Sequence, residues 1–174
     1  MGQRKNIVLF GGSFNPPHDG HVAIVRRLAR RKTVNEVWIL PVYRHRFRKR
    51  LFPFPDRMRL CRQVFGPLSR KVQVKDLEKK VRGGGRTLSL ILYLQKQFPR
   101  YRFYLALGSD AYRQRHSWYR FDEIQKRVKL IIFPRGPRSP IPNVASRQIR
   151  CSLSRGRLPV GLPSAVQKFF KKSH

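Results

Sequence analysis

Residues 7–21 read Ile7-Val8-Leu9-Phe10-Gly11-Gly12-Ser13-Phe14-Asn15-Pro16-Pro17-His18-Asp19-Gly20-His21. The stretch begins with an apolar run short enough for a buried strand, and paired glycines and a proline turn follow it. Because Gly11 and Gly12 have no Cβ, a polyphosphate can approach their backbone closely and be held by amide N–H groups at the start of the next helix. The stretch therefore predicts a strand that leads into a phosphate-binding turn.

Two histidines close this stretch. His18 and His21 are three residues apart, so a helix that begins near Asp19 places both on one face at its positive end. There their imidazole N–H groups can reach the charge that develops on a phosphoryl group, and neither has to act as a base. The alternative is a turn with two satisfied surface histidines. A zinc site is disfavoured, because two histidines do not complete a coordination shell and Cys61 and Cys151 lie far along the chain.

The whole stretch resembles the phosphate-binding motif of the nucleotidylyltransferase superfamily, which runs Gly-Gly-Ser/Thr-Phe-Asp/Asn-Pro-x-His-x-Gly-His. The resemblance implies that His18 and His21, together with Arg150 of a later motif, stabilise the triphosphate of ATP and the departing pyrophosphate. It also implies that residues of the turn contact phosphate. These residues are Gly11, Gly12, Ser13 and Phe14.

Length and composition favour one α/β domain that spans residues 1–174, with no internal repeat. No window approaches the roughly 18 to 20 consecutive apolar residues that a transmembrane helix needs. The run from Ile7 to Phe10 is also too short for the core of a signal peptide. We therefore expect a cytoplasmic protein with no membrane partner.

The charge of the chain is unusual, because 40 Lys and Arg stand against 8 Asp and Glu and give a formal net charge of +32. Such a field attracts polyanions such as nucleotides, RNA, DNA and anionic lipid. The basic residues are spread along the whole chain, so the charge does not identify a partner. A basic nucleic-acid-binding protein on the same fold is kept as an alternative. Oligomeric state is left open, with a homo-oligomer among the alternatives.

Short apolar runs alternate with helical periodicity along the chain, and strands separated by helices imply right-handed parallel βαβ units. The pattern predicts an α/β, Rossmann-like, doubly wound parallel sheet of about five to six strands with flanking helices. The expected strands are 7–10, 37–40, 72–74, 103–107 and 129–133. The expected helices are 21–31, 56–65 with Asp56 as its N-cap, 87–97 and 163–171.

The loop at 42–55 combines aromatic and basic side chains, which suit a nucleotide base and its phosphates as well as single-stranded nucleic acid. In the superfamily, a His-Lys or His-Arg pair follows the second strand, and a phenylalanine and an arginine open the next helix. The positions that resemble this pattern are His45, Arg46, Phe54 and Arg57. The resemblance implies that Arg46 contacts a substrate phosphate. Neighbouring alternatives for that contact are Arg44, Arg48 and Lys49.

Two further segments resemble the nicotinate mononucleotide adenylyltransferases. The family pattern Ser-Tyr-Thr-x-Asp-Thr-Leu keeps its threonine as Thr87, but Arg86 replaces the tyrosine and Ser89 replaces the aspartate. The glycine triplet before it, 83–85, is not a P-loop, because no Gly-Lys-Ser/Thr follows. The resemblance implies that Thr87 lies at the pyridine site.

The other segment follows the fourth expected strand. Gly108 permits close approach of a ligand, and the Asp110 carboxylate can accept both hydroxyls of a ribose. With Trp118 they resemble the family's Gly-x-Asp-Ala…Trp segment, which implies that the indole stacks on the pyridine ring and that Tyr119 offers a backbone amide to the ring carboxylate. A core position that anchors the next helix is the alternative for Trp118.

Residues 144–150 resemble the superfamily's second motif, Ile-Ser-Ser-Thr-x-Ile-Arg, with Ser146, Ile149 and Arg150 in register. Ser146 can cap a helix whose first-turn N–H groups face a phosphate, and Arg150 lies one turn later to clamp that phosphate bidentately. The changed residue Arg147 is expected to point outward.

The resemblance implies adenylyl transfer from ATP to the 5′-phosphate of nicotinate mononucleotide, which gives deamido-NAD and pyrophosphate. The expected cofactor is Mg²⁺, bound mainly through ATP phosphates, and no protein metal ligand is assigned. Nicotinamide mononucleotide and phosphopantetheine are alternative acceptors. Trp118 and the closing turn at 156–163 argue against phosphopantetheine.

Overall fold

The computed structural model describes residues 4–43, 51–81 and 86–171. Within these ranges the strands are β1 Lys5–Gly12, β2 Glu36–Pro41, β3 Val72–Val74, β4 Tyr101–Gly108 and β5 Lys129–Phe133. The helices are α1 Asp19–Ala29, α2 Phe54–Phe65, α3 Thr87–Gln97, α4 Ser109–Arg113, α5 Phe121–Arg127, α6 Ser146–Leu153 and α7 Ser164–Lys171. In these parts of the chain no helix has the length and apolar character to cross a bilayer.

The strands form one sheet in the order β3-β2-β1-β4-β5, and each neighbouring pair is parallel. The chain builds outward from β1 to β2 and β3, and then returns to the other side of β1 to add β4 and β5. The connections after β1 and β4 therefore lead to opposite sides of the sheet, which is where a doubly wound sheet opens a crevice. The Rossmann-like parallel sheet expected from the sequence is confirmed.

Two hydrophobic cores lie on opposite faces of the sheet. In β1, Val8 and Phe10 belong to the core shared with α1, α2, α6 and α7, whereas Ile7 and Leu9 belong to the core shared with α3 and α5. Successive side chains of a strand point to opposite faces, so a sheet covered by helices on both sides needs continuous apolar runs. This requirement explains the unbroken apolar character of β1 and β2.

The start of α2 differs from the expected one. The helix begins at Phe54, with Pro53 at the N-cap and Pro55 in the first turn, so the predicted cap at Asp56 is wrong. Proline is tolerated in a first turn because its fixed φ suits a helix and its missing N–H would have no partner there. Asp56 lies one turn earlier than Arg59 and pairs with it at 3.3 Å.

Candidate active site

A cavity of about 430 Å³ lies at the carboxyl edge of the sheet, between the turns that follow β1 and β4. This volume is typical of small-molecule sites. Most of the residues singled out in the sequence line it. They are Gly11, Gly12, Ser13, His18, His21, Thr87, Gly108, Asp110, Trp118, Tyr119 and Ser146. Phe14 and Arg150 are not part of the cavity wall, and Arg46 lies outside the described residues.

The two histidines stack on each other at the start of α1, with ring centroids 3.6 Å apart. His18 occupies the N-cap position, and its backbone N–H donates to Nδ1 of His21 at 3.3 Å. Nδ1 of His18 is buried and has no hydrogen-bond partner within the described ranges. Buried polar atoms are nearly always paired in native proteins, so this atom is a candidate ligand contact.

Both imidazoles are neutral at neutral pH. The pKa of His18 is lowered to about 3, first by burial and then by the positive charge of Arg135. The pKa of His21 is lowered well below its ordinary value by burial, by His18 and by Arg135. A neutral imidazole still donates one N–H to a phosphate oxygen, so the lowered pKa values suit electrostatic stabilisation.

Phe14 supports the histidines from behind the cavity wall. Its φ of +42° lies in the left-handed region, which non-glycine residues rarely adopt. The ring is buried and packs edge-on against His21, with centroids 5.0 Å apart. A Cβ at Gly12 would meet this ring at 3.2 Å, whereas a Cβ at Gly11 would have no neighbour closer than 3.9 Å. Gly12 therefore makes room for Phe14, and Gly11 leaves open space at the cavity.

A buried arginine holds the turn after β1 in place. The side chain of Arg57 donates to the carbonyl oxygens of Ser13 at 2.9 Å, Val42 at 2.8 Å and Phe52 at 3.0 Å. Oδ1 of Asn15 accepts the Phe52 N–H at 2.8 Å. Because these groups are satisfied inside the protein, they fix the turn against the segment that precedes α2.

Arg135, which the sequence analysis missed, lies beside the histidines and lines the cavity. Its guanidinium donates to the carbonyl oxygens of Pro142 at 3.2 Å and Val144 at 2.6 Å. A Cβ at Gly20 would collide with this guanidinium. The signal that could have found Arg135 is its position two residues after β5, at the same edge of the sheet as the histidines.

Another part of the cavity wall comes from the end of β4 and the start of α4. A Cβ at Gly108 would collide with the Asp110 carboxylate and would lie 3.2 Å from Cγ of Arg135. The glycine therefore allows this carboxylate to lie against the end of the strand. Asp110 is exposed towards the cavity and forms no ion pair within the described ranges.

Thr87 and Trp118 also line the cavity. Trp118 packs edge-on against Phe121 with ring centroids 5.8 Å apart, and it also faces the cavity. The core position and the ligand-facing position considered for Trp118 are therefore compatible. Thr87 is the first residue of α3, and Tyr119 is 39% exposed.

A carboxyl group that the sequence analysis also missed, that of Glu78, lines the cavity near the end of β3. Burial raises its pKa to about 7. This position follows a parallel strand at its carboxyl end, which is the signal that could have found it.

Ser146 and Arg150 fasten α6 to the turn after β1. The expected cap at Ser146 is wrong, because Ala145 is the N-cap residue and Oγ of Ser146 instead donates to the Pro16 carbonyl at 3.0 Å. Nη1 of Arg150 donates to the carbonyl oxygens of Asn15 at 2.7 Å and Ser146 at 3.1 Å. Two segments separated by most of the chain are thereby joined behind the histidines.

The chain matches known proteins over nearly its full length. The cytidylyltransferase-like family matches residues 9–165. The protein of Anaeromyxobacter dehalogenans named "Probable nicotinate-nucleotide adenylyltransferase" is 36% identical over 97% of this chain and 95% of its own length. The protein of the same name from Myxococcus xanthus is 30% identical over 97% of this chain and 92% of its own length.

Solved structures show the same fold. The Plasmodium falciparum nicotinic acid mononucleotide adenylyltransferase complexed with NaAD superposes with a TM-score of 0.73, at 23% identity over 88% of this chain and 86% of that one. The same enzyme complexed with APC has a TM-score of 0.75, at 20% identity over 97% of this chain and 96% of that one. The resemblance inferred from the sequence motifs is confirmed, and the chain belongs to the cytidylyltransferase-like family, in which it is a relative of the nicotinate-nucleotide adenylyltransferases.

Proposed function

We propose that the cavity transfers the adenylyl group of ATP to the 5′-phosphate of nicotinate mononucleotide, a step of NAD biosynthesis. The observation that supports this most strongly is that His18 and His21 line the same cavity as Asp110 and Trp118. Phosphate-binding groups and nucleoside-binding groups then face the same space. The relatives of the chain bear the name of this activity.

In this reaction an oxygen of the acceptor phosphate forms a bond to the α-phosphorus of ATP. The bond from that phosphorus to the bridging oxygen breaks in line, and its electron pair leaves with pyrophosphate. No protein nucleophile is needed. The protein contributes orientation of the two substrates and stabilisation of the charge on the phosphates.

Side chains supply most of this stabilisation at the start of α1. The backbone N–H of Asp19 donates to the Gly161 carbonyl at 3.0 Å, and that of His21 donates to the His18 carbonyl at 2.8 Å. These two amides are therefore occupied in the described conformation. The neutral imidazoles of His18 and His21 and the guanidinium of Arg135 face the cavity and donate to the triphosphate.

The rest of the site binds the two nucleotides. In the proposal, Gly11, Gly12 and Ser13 present backbone to the phosphates, and Gly108 and Asp110 hold a ribose. The pyridine ring stacks on Trp118 and lies against Thr87 and Tyr119. Arg46 remains a predicted phosphate contact, and Phe14, Ser146 and Arg150 keep the turn after β1 in its binding geometry.

Mg²⁺ fits this site as an ion brought by ATP. Within the described residues, no three or more His, Cys, Asp or Glu side chains are grouped to hold a metal. The carboxylates on the cavity wall, Glu78 and Asp110, follow different strands. Mg²⁺ would be held mainly by the phosphates of ATP and would neutralise part of their charge.

The test is pyrophosphate release from ATP and Mg²⁺ with nicotinate mononucleotide as acceptor. We expect release by the wild type and a loss of about 100-fold or more in His18→Ala, because removal of a charge-stabilising donor typically has an effect of this size. His116→Ala is the matched control, since His116 is exposed and lies outside the cavity wall. No release by the wild type with any pyridine mononucleotide would contradict the proposal.

The high positive charge gives a separate, non-specific attraction for nucleic acid. Binding that results from charge alone falls steeply with salt, because it depends on counterion release. A gel shift at low and at physiological salt distinguishes this non-specific attraction from a nucleic-acid-binding function. Retention of tight binding at physiological salt would support the alternative of a nucleic-acid-binding protein.

A further inference from the structure

The cavity wall includes a cation, Arg86, at a position where the family pattern has a tyrosine. Arg86 is the N-cap residue of α3 and precedes Thr87 directly. Its side chain lines the cavity together with Trp118 and Tyr119. The position is therefore part of the proposed pyridine site, and its charge is a feature of this chain.

The guanidinium of Arg86 is held in a defined place. Its Cζ atom lies 4.3 Å from the centroid of the Tyr119 ring, which is a close cation–π contact. Because Tyr119 follows Trp118 in the chain, this contact keeps the charge next to the wall that would stack on the pyridine ring. A planar guanidinium can stack on an aromatic ring and still donate in its own plane to a carboxylate.

The guanidinium of Arg86 forms no ion pair with any residue that the structure describes. Within the described ranges, the carboxylates that form ion pairs belong to Glu36, Asp56 and Glu123, and none of these pairs includes Arg86. The carboxyl groups that line the cavity with it are Glu78 and Asp110. The guanidinium therefore has a donor edge available for an anionic ligand.

We propose that Arg86 determines acceptor specificity, favouring a pyridine ring with a carboxylate over a ring with a neutral amide. This inference rests on the proposed function and names the group that selects the acid. A guanidinium beside the ring pairs with a carboxylate through charge-assisted hydrogen bonds. The amide offers one neutral carbonyl oxygen and gains much less from the same cation.

The experiment compares kcat/KM for nicotinate mononucleotide and for nicotinamide mononucleotide in the wild type and in Arg86→Gln. We expect the substitution to lower the acid-to-amide ratio by roughly 10- to 100-fold, through a higher KM for the acid and little change for the amide. Arg86→Lys, which keeps the charge without the planar fork, should retain part of the preference.

Arg115→Gln is the matched control. Arg115 also stacks on a tyrosine, with Cζ 4.7 Å from the Tyr112 ring, but neither residue lines the cavity. This variant should keep the wild-type ratio. If it lowers the ratio as much as Arg86→Gln does, net charge and not position explains the effect, and the inference is overturned.

Other outcomes separate this inference from the proposed function. If the wild type turns over substrate and Arg86→Gln has the same acid-to-amide ratio of kcat/KM, the role of Arg86 is overturned. The proposal of adenylyl transfer would stay intact. Calorimetric titration of each mononucleotide into the wild type and Arg86→Gln gives a readout that does not need turnover. If the wild type binds the acid no more tightly than the amide, the inference is wrong whatever the rates are.

Discussion

The guanidinium of Arg135 lies in the space that a side chain at Gly20 would occupy. The carbonyl oxygen of Pro142, to which Arg135 donates, would also be only 2.9 Å from such a Cβ. The glycine between the two neutral histidines therefore allows a cationic group to reach the start of α1. The Arg135 side chain thereby connects the turn after β1 to the loop after β5.

Gly20→Ala should displace Arg135 and weaken both folding and turnover. The Pro142 carbonyl is backbone and cannot rotate away, so we expect a loss of about 1–3 kcal/mol in the free energy of unfolding. Pyrophosphate release should fall as well, because Arg135 moves away from the triphosphate. Thermal unfolding and initial rates measure the two effects.

The control for this substitution is Gly66→Ala. Gly66 follows α2 with helical φ, and an added Cβ would have no neighbour within 4 Å. This variant should be neutral or slightly more stable than the wild type. An equal loss of stability in both variants would show that the contact with Arg135 is not the cause.

Acid should destabilise the protein through His18. Its pKa is about 3 in the folded chain and 6.5 in its ordinary state, so the unfolded chain binds a proton first as the pH falls. The contribution to stability is full above about pH 6.5 and is lost as the pH falls towards 3, with a limiting slope of about 1.4 kcal/mol per pH unit. Denaturant unfolding from pH 7.5 to 4.5 measures this effect. The free energy of unfolding should decline less steeply in His18→Gln than in the wild type. The exposed His116→Gln should follow the wild type.

Glu78 should have the opposite pH dependence. Burial raises its pKa from 4.5 to about 7, so the unfolded chain loses this proton first as the pH rises. Stability linked to Glu78 is full below about pH 4.5 and is lost as the pH rises through 7. Glu78→Gln should therefore stabilise the protein at pH 8, by on the order of 1–3 kcal/mol, and much less at pH 5.

Asp122→Asn is the control for Glu78→Gln, because it removes one carboxylate charge at an exposed position. If both variants gain the same stability at pH 8, the gain reflects a change in net charge. A gain in Glu78→Gln that does not depend on pH would contradict the raised pKa.

Arg150→Met should destabilise the protein as well as reduce activity. Its Nη1 donates to the Asn15 and Ser146 carbonyl oxygens, and loss of charge-assisted hydrogen bonds of this kind costs about 1.5–3 kcal/mol. Arg147→Met, at an exposed position of the same helix, should have little effect. A wild-type unfolding temperature in Arg150→Met, with activity lost, would mean that Arg150 acts on the substrate and not on the fold.

The sequence alone determined the parallel α/β fold and the position of the turn after β1. Continuous apolar runs, glycines and helical periodicity are local signals, and the runs expected for β3, α3 and β5 have the observed bounds. One domain over 1–174 stays a prediction. The N-cap preference of Asp56 misplaced the start of α2, because Pro53 and Pro55 allowed the helix to begin before Asp56.

Only the tertiary structure decided which of the candidate residues share a cavity. It also decided the charge state of the histidines there. The strand order brings the turns after β1 and β4 together, and the loop after β5 supplies Arg135 from far along the chain. The pKa of His18 depends on burial and on that distant guanidinium, and neither is encoded near residue 18. The packing of Arg86 on Tyr119 likewise joins two separate segments, so local sequence patterns contain no signal for it.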